Sequence, residues 1–263
     1  MIDLAPKNAY SFELATPLVA RQLGFAQRGA AHGLGALITR TTTPRARRAR
    51  PLPTLIETPA GLLYTGLEHN PGLRVLRERF APVWAAWELP VIVSVAADSA
   101  EELAEAVAEL DMLEGVRGLE LPLALNGALT PELAARLVAA VRAATPLPLI
   151  VKLPGHASDL LALARAVADA GADALSLIDG LPAAVPGAGG LSEGLLCGPA
   201  LRPLALRAVA AVRAAVGLPL LGGGGVLDAS DARALLDAGA TAVALGSALL
   251  NDLRAAARIV AVL

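Results

Sequence analysis

From Pro90 onward, short apolar and β-branched runs alternate with longer segments whose apolar positions recur at helical spacing. This alternation predicts successive parallel βαβ units. The expected strands cover residues 90–97, 118–123, 147–153, 174–178, 218–221 and 241–245. Helix-start signals follow several of them. Ser99 with Glu101 and Glu102 is an N-cap with an acidic first turn, opening a helix to about Met112. Thr130 and Pro131 supply an N-cap and an N1 proline for a helix to Ala144. A third helix opens at Ser158 and ends at Gly171, a fourth covers 201–216 and closes at Gly217, and 231–238 is a fifth.

Upstream, residues 17–20 and 36–41 supply two more strands, and 73–87 forms the helix before the third strand. Eight strands with interleaved helices predict an α/β fold, a (β/α)8 TIM barrel. An open doubly wound sheet is the alternative, but glycine-rich ends on the last two strands suit a barrel better. Residues 44–70 are too long and turn-rich for an ordinary connection and read as an excursion over the barrel mouth.

Composition narrows the picture. A chain of 263 residues suits one barrel domain over 1–263. Its 55% hydrophobic content allows a large core, yet no uncharged apolar stretch approaches the ~18 residues of a membrane span. The first residues lack the basic, apolar and small-residue regions of a secretory signal, so a cytoplasmic protein is expected. The single cysteine, Cys197, excludes an internal disulfide framework, and three histidines without ligand spacing suggest no protein-built metal site. A net charge of −2 argues against nucleic acid as a partner. The basic run from Arg45 to Arg50 reads as a solvated loop rather than a docking patch.

The sharpest local signal is Gly222-Gly223-Gly224-Gly225 after one strand and Gly246-Ser247 after the next. In barrels, the loops after the last two strands present backbone N–H groups to phosphate. Any Cβ there would block close approach. The plainer alternative is that these glycines only serve tight turns. Lys152, near the end of the run IVKL, is a charge among apolar neighbours and needs a partner. Two partners fit: the N1 and C2 carbonyl of a flavin, which become negative on reduction, or a structural ion pair with Glu120 or Asp179.

Over nearly its whole length the chain resembles the dihydroorotate dehydrogenase family. The matching segments, in order, are GALITRTTT, IETPAGLL with GLEHNPG, PVIVSVAADSAEELAE, GLEL, PLIVKL, AGADALSLI, GGLS, GPALRPLALR, GGGGV and AGATAVALGSA. Together they look closest to the branch whose catalytic subunit pairs with an FAD and iron-sulfur subunit to use NAD. The resemblance implies FMN, with its phosphate at Gly224, Gly225, Gly246 and Ser247, Gly198 near the cofactor, and Lys152 on the flavin ring. Arg40 stands where the family's TKT motif has lysine, which keeps the charge but changes size and donor geometry.

The resemblance breaks at the active-site loop. Where the family has asparagine, an apolar residue, serine, cysteine, proline and asparagine, this chain reads Pro122-Leu123-Ala124-Leu125-Asn126-Gly127. Leu125 occupies the position of the family's proton-abstracting cysteine and can move no proton. Other substrate asparagines correspond to Tyr64 or Thr65 and to Asp179, whose added carboxylate would repel an anionic orotate. The substrate-covering loops also read as short, with only 181–188 between SLID and GGLS. Cys197, His156 and Asp179 are the remaining candidate bases at this barrel face. Each has a plainer reading: a packed small hydrophobe, an exposed turn residue and a loop hydrogen-bonding group, respectively.

These features predict an FMN oxidoreductase of dihydroorotate dehydrogenase descent, related to pyrimidine biosynthesis, that passes hydride to flavin N5 but has a rebuilt substrate pocket. The alternative is a non-catalytic barrel acting as a ligand-binding or partner subunit. A third reading, a lyase or synthase holding a phosphorylated metabolite at the same glycines, rests on fold analogy. The expected partners are a small-molecule ligand, an electron-transfer subunit and a second copy in a homodimer, with no nucleic acid or membrane.

Overall fold

The computed structural model describes residues 2–4, 13–23, 33–48, 55–65, 69–123, 129–187 and 189–263. The active-site loop positions Ala124, Leu125, Asn126 and Gly127, and parts of the 44–70 excursion, lie outside the described residues.

Strands β1 (Ile2–Asp3) and β2 (Glu13–Leu14) pair antiparallel ahead of the barrel. The chain then continues through β3 (Leu18–Leu23), β4 (Ala36–Thr39), the hairpin β5 (Leu55–Thr58) and β6 (Gly61–Tyr64), and a helical stretch. That stretch is α1 (Gly72–Val75), a π-helical turn at Leu76–Phe80, and α2 (Ala81–Ala85). Next come β7 (Val91–Ser94), α3 (Ala100–Asp111), β8 (Gly118–Pro122), α4 (Pro131–Ala144), β9 (Leu149–Lys152), α5 (Leu160–Asp169) and β10 (Ala174–Leu177). A second hairpin, β11 (Leu181–Gly187) and β12 (Gly190–Cys197), precedes α6 (Arg202–Ala215), β13 (Leu220–Gly223), α7 (Ala229–Asp237), β14 (Ala242–Leu245), α8 (Ser247–Asn251) and α9 (Ala255–Val260).

Strands β3, β4, β7, β8, β9, β10, β13 and β14 form a closed barrel in that order, every neighbouring pair parallel. This is the (β/α)8 barrel that the hydrophobic pattern predicts, with strands at the eight expected places. The period-two alternation of a strand splits each side-chain row between two cores. Leu149, Val151, Leu175 and Val243 face the helices in the large outer core, whereas Ile38, Ile92, Ile150, Leu221 and Ala242 fill the barrel itself. Leu4 and Leu14 join this inner cluster and plug the end where the strands begin.

Helix ends correct the sequence reading at several points. Ser99 and Thr130 do cap α3 and α4, accepting from the backbone N–H of Glu102 and Leu133. The next helix starts later than Ser158: Asp159 is its cap and accepts from Ala162 N at 2.9 Å. The helix expected from residue 231 starts at Ala229, because Asp228 caps it through the N–H of Asp231. Within 181–188, read as a short loop, residues 181–187 instead form the first strand of the β11–β12 hairpin. Its pairing runs from Leu181↔Leu196 to Gly187↔Gly190, and β12 in turn pairs with β6 in the four-stranded sheet β11-β12-β6-β5. Among the described residues no helix is long and apolar enough to cross a membrane.

Candidate functional site

The barrel interior turns polar toward the strand C-termini. On β9, Ile150 faces inward, so Lys152, two residues on, does too; Ser176 follows Ala174 inward in the same way on β10. Lys152 is 6% exposed and Ser176 is 2% exposed. Burying an ammonium requires a partner. Asp179, two residues beyond β10, provides it: Lys152 Nζ lies 2.6 Å from Asp179 Oδ1. The same oxygen accepts from the backbone N–H of Gly180 at 2.9 Å. Of the two partners that the sequence suggests for Lys152, the ion pair with Asp179 is therefore present.

Above this pair opens a cavity of about 70 Å³. Its lining includes Lys152, Gly198, Gly224, Gly225, Gly246 and Ser247, all singled out from the sequence. Gly198, Gly224 and Gly225 have φ of +118°, +127° and +77°, conformations that side chains with a Cβ rarely adopt. A Cβ on Gly225 would meet Gly198 O at 2.7 Å, so the two glycine turns touch each other. A Cβ on Gly246 would meet nothing within 4 Å and would project into open space.

Arg40 sits one step away. It lines a neighbouring cleft of about 450 Å³ with Arg47, Arg48 and Arg79, and donates from Nη2 to Tyr64 Oη. Tyr64 is on the wall of the first cavity, so this contact links Arg40 to it. Its guanidinium carbon also lies 5.7 Å from the Tyr64 ring centre. Burial raises the Tyr64 hydroxyl above its ordinary pKa, the Arg40 charge lowers it, and Cys197 raises it again.

The candidate bases separate clearly. His156 is exposed in the turn after β9 and is not part of the cavity lining. Cys197 lines the cavity beside Leu62, to which β12 and β6 pair it. Burial pushes its thiol up to about 11, with Asp179 adding to the rise and Lys152 opposing it, so the thiol is protonated at neutral pH. Asp179 is held by Lys152. Among the described residues no group of His, Cys, Asp or Glu could hold a metal ion.

Sequence reasoning missed the contribution of the two hairpins. Leu55, Leu62 and Tyr64 from β5 and β6 line the cavity, as do Leu201, Val226 and Leu250. The i, i+2 spacing of Leu62 and Tyr64, with the buried Leu63 between them, is the signal that could have placed those two on one face.

Fold and site together define a (β/α)8 barrel with a cavity at the C-terminal mouth of its strands, walled by glycine turns after the last two. The chain belongs to the dihydroorotate dehydrogenase family, whose model matches residues 14–263. Similar curated proteins carry the name dihydroorotate dehydrogenase B (NAD(+)), catalytic subunit. That of Desulforudis audaxviator is 41% identical over 244 residues, covering 87% of this chain and 79% of that protein. The protein of Anoxybacillus flavithermus is 35% identical, covering 83% and 75%. The one from Desulforamulus reducens is 37% identical, covering 82% and 75%. Family membership makes the chain a dihydroorotate dehydrogenase-like oxidoreductase.

Proposed function

We propose that the chain is an FMN-dependent oxidoreductase whose cofactor site is intact and whose substrate end has been rebuilt. The observation that carries this reading is the convergence of Lys152 with the turns of Gly224, Gly225, Gly246 and Ser247 on one cavity. The fit rests on Gly246, where a Cβ would occupy open space that a phosphate can use instead. FMN, when bound, supplies two-electron hydride chemistry at its ring.

The chain's own residues do the rest. Backbone N–H groups of the two glycine turns hold the phosphate without a cationic side chain. Lys152 presents an ammonium to the ring edge. Leu201, Val226 and Leu250 exclude water around the cofactor. Gly198 and the Arg40–Tyr64 contact shape the remaining wall.

Proton abstraction lacks its usual group, because the family's base position is Leu125. Cys197 keeps its proton at neutral pH, and Asp179 is committed to Lys152. Dihydroorotate oxidation is therefore not expected. The second reading, a barrel that binds FMN or nothing and serves another subunit, is favoured by the same Lys152–Asp179 pair, which holds the one lysine among the described residues of the cavity wall.

We read residues 1–263 as one cytoplasmic domain, with 44–70 as an excursion over the mouth. The β5–β6 hairpin on the cavity wall supports that placement. The relatives' names, each a catalytic subunit, support a partner subunit, which we read as one for electron transfer, and pyrimidine biosynthesis is the setting from which the family reading starts. The visible spectrum of purified protein before and after added FMN tests the cofactor. Anaerobic mixing of the FMN-loaded protein with dihydroorotate should leave the flavin oxidised for minutes, and rapid bleaching would overturn the rebuilt pocket.

A further inference from the structure

The cleft beside the first cavity gathers arginines from two separate stretches of chain. Arg40, Arg47 and Arg48 come from the segment after β4, and Arg79 comes from the π-helical turn. Among the described residues no carboxylate lines this cleft. Asp98 reaches Arg47 from outside the lining at 2.6 Å, so one carboxylate stands against four guanidiniums and an excess of three positive charges remains. Glu78, next to Arg79 in the chain, is taken by Arg74 at 2.9 Å and Arg77 at 3.9 Å. Arg48 and Arg79 are exposed and have no ion-pair partner among the described residues. Arg50 and Glu68, outside the described residues, are opposite in sign. Like charges gathered in one place repel, and an anion seated among them removes that repulsion.

The wall is fixed rather than loose. Arg47 N–H donates to Asn70 O at 3.1 Å, and Asn70 N–H donates to Arg47 O at 3.0 Å. The Asn70 side-chain oxygen in turn accepts from Thr43 N and Gly72 N. Gly72, with φ of +79°, packs so closely that an added Cβ would meet Ala46 N at 2.7 Å. The floor is apolar: Pro71, Val75 and Phe80 are half-buried in it. The wider π turn over Leu76–Phe80 brings Phe80, five residues after Val75, onto the face that Val75 and Arg79 share. Trp84 holds the Phe80 ring by stacking, with centroids 6.1 Å apart.

We propose that this cleft is a second ligand site, which takes a phosphate ester carrying an aromatic ring, with the phosphate on Arg48 and Arg79 and the ring on the Val75–Phe80 floor. The volume of about 450 Å³ suits a small molecule, within the range of about 300–1,000 Å³ for such sites. The guanidinium fork pairs with both carboxylate and phosphate, but a phosphate monoester carries nearly two negative charges and matches the excess better. The preformed wall lowers the ordering cost of binding. Arg40 is already committed to Tyr64, so the site is assigned to the other arginines. The inference does not depend on a flavin in the first cavity.

The test is calorimetry at low salt on the full chain as purified, with three probes. Adenosine monophosphate has both ring and phosphate, ribose 5-phosphate lacks the ring, and adenosine lacks the charge. Adenosine monophosphate should bind at least about tenfold more tightly than either of the others. The double variant Arg48→Gln, Arg79→Gln should weaken it at least about tenfold, with an unchanged melting temperature because neither exposed side chain has an ion pair to lose. Should the double variant melt early, each single change is read instead and should weaken binding at least about threefold. Gly246→Ala, in the first cavity, should leave this affinity as it was. Unchanged affinity in the arginine variants overturns the proposal, and so does a loss confined to Gly246→Ala, which moves the phosphate to the first cavity. Ribose 5-phosphate binding as tightly as adenosine monophosphate, or no saturable binding of the latter, overturns it as well.

Discussion

Lys152 Nζ and Asp179 Oδ1 lie 2.6 Å apart, joining the end of β9 to the turn beyond β10 inside the barrel mouth. Both side chains are largely removed from water, so neither charge is tolerable without the other. Asp179→Ala should lower stability to urea by about 3–5 kcal/mol, the usual effect of stranding a buried charge. The double variant Lys152→Met, Asp179→Leu should recover most of that loss. Equal destabilisation by the single and double changes would mean that the pair contributes packing rather than charge.

The same geometry predicts an effect on bound FMN. An ammonium at the ring edge favours the reduced, more negative ring, and a carboxylate touching that ammonium offsets it. Asp179→Asn should therefore favour reduced over oxidised FMN. A tenfold change would shift the midpoint upward by about 30 mV for a two-electron couple. A redox titration against a reference dye reads this directly, and an unchanged or more negative midpoint would count against Lys152 facing the ring.

Cys197 should be slow to react despite lining the cavity. Its thiol is pushed up from 9.0 to about 11, mainly by burial. At pH 8 the native chain then holds roughly a hundredth of the thiolate of an ordinary cysteine, and thiolate is the reactive form. Iodoacetamide should label the native protein about a hundredfold more slowly than the urea-unfolded chain. The sign for stability follows from the raised value: the contribution is complete below pH 9 and is lost as pH rises through 11. Equal labelling rates in the two states would show that the thiol is neither buried nor perturbed.

Some of this was open to reading before the structure, for identifiable reasons. Parallel barrel strands are covered on both faces, so runs such as Val91–Ser94 and Leu149–Lys152 stand out as apolar blocks. Ser99 and Thr130 were readable as caps because each precedes a clear helical pattern. Ser158 and Asp159 were not separable, since both residue types cap and only the reach to Ala162 N decides. The β11–β12 hairpin was hidden because Pro182, Pro186 and its glycines read as loop, while its pairing with β6 is made with residues more than a hundred positions away. The glycine turns announced a cavity, but the choice between flavin and Asp179 as the partner of Lys152 depended on where the turn after β10 folds back. The Arg40–Tyr64 contact, 24 residues apart, had no local signal at all.

Gly225 and Gly246 separate what a glycine does for the fold from what it does for a ligand. Gly225 has φ +77°, and its added Cβ would meet Gly198 O at 2.7 Å and Arg202 N at 3.0 Å. Gly225→Val should therefore lower the melting temperature and abolish FMN binding together, because the turn itself must shift. Gly246 differs: its φ is −116°, and a Cβ there meets no protein atom within 4 Å. Gly246→Ala should leave the melting temperature of the FMN-free chain nearly unchanged. If the open space at Gly246 is where phosphate approaches the backbone, the added methyl must collide with it, and FMN affinity should fall at least about tenfold, a loss of about 1.4 kcal/mol. Paired thermal melts and equilibrium titrations distinguish the outcomes. Unchanged FMN affinity in a stable Gly246→Ala protein would place the phosphate elsewhere, whereas a large drop in melting temperature without FMN would show that this glycine serves only its turn.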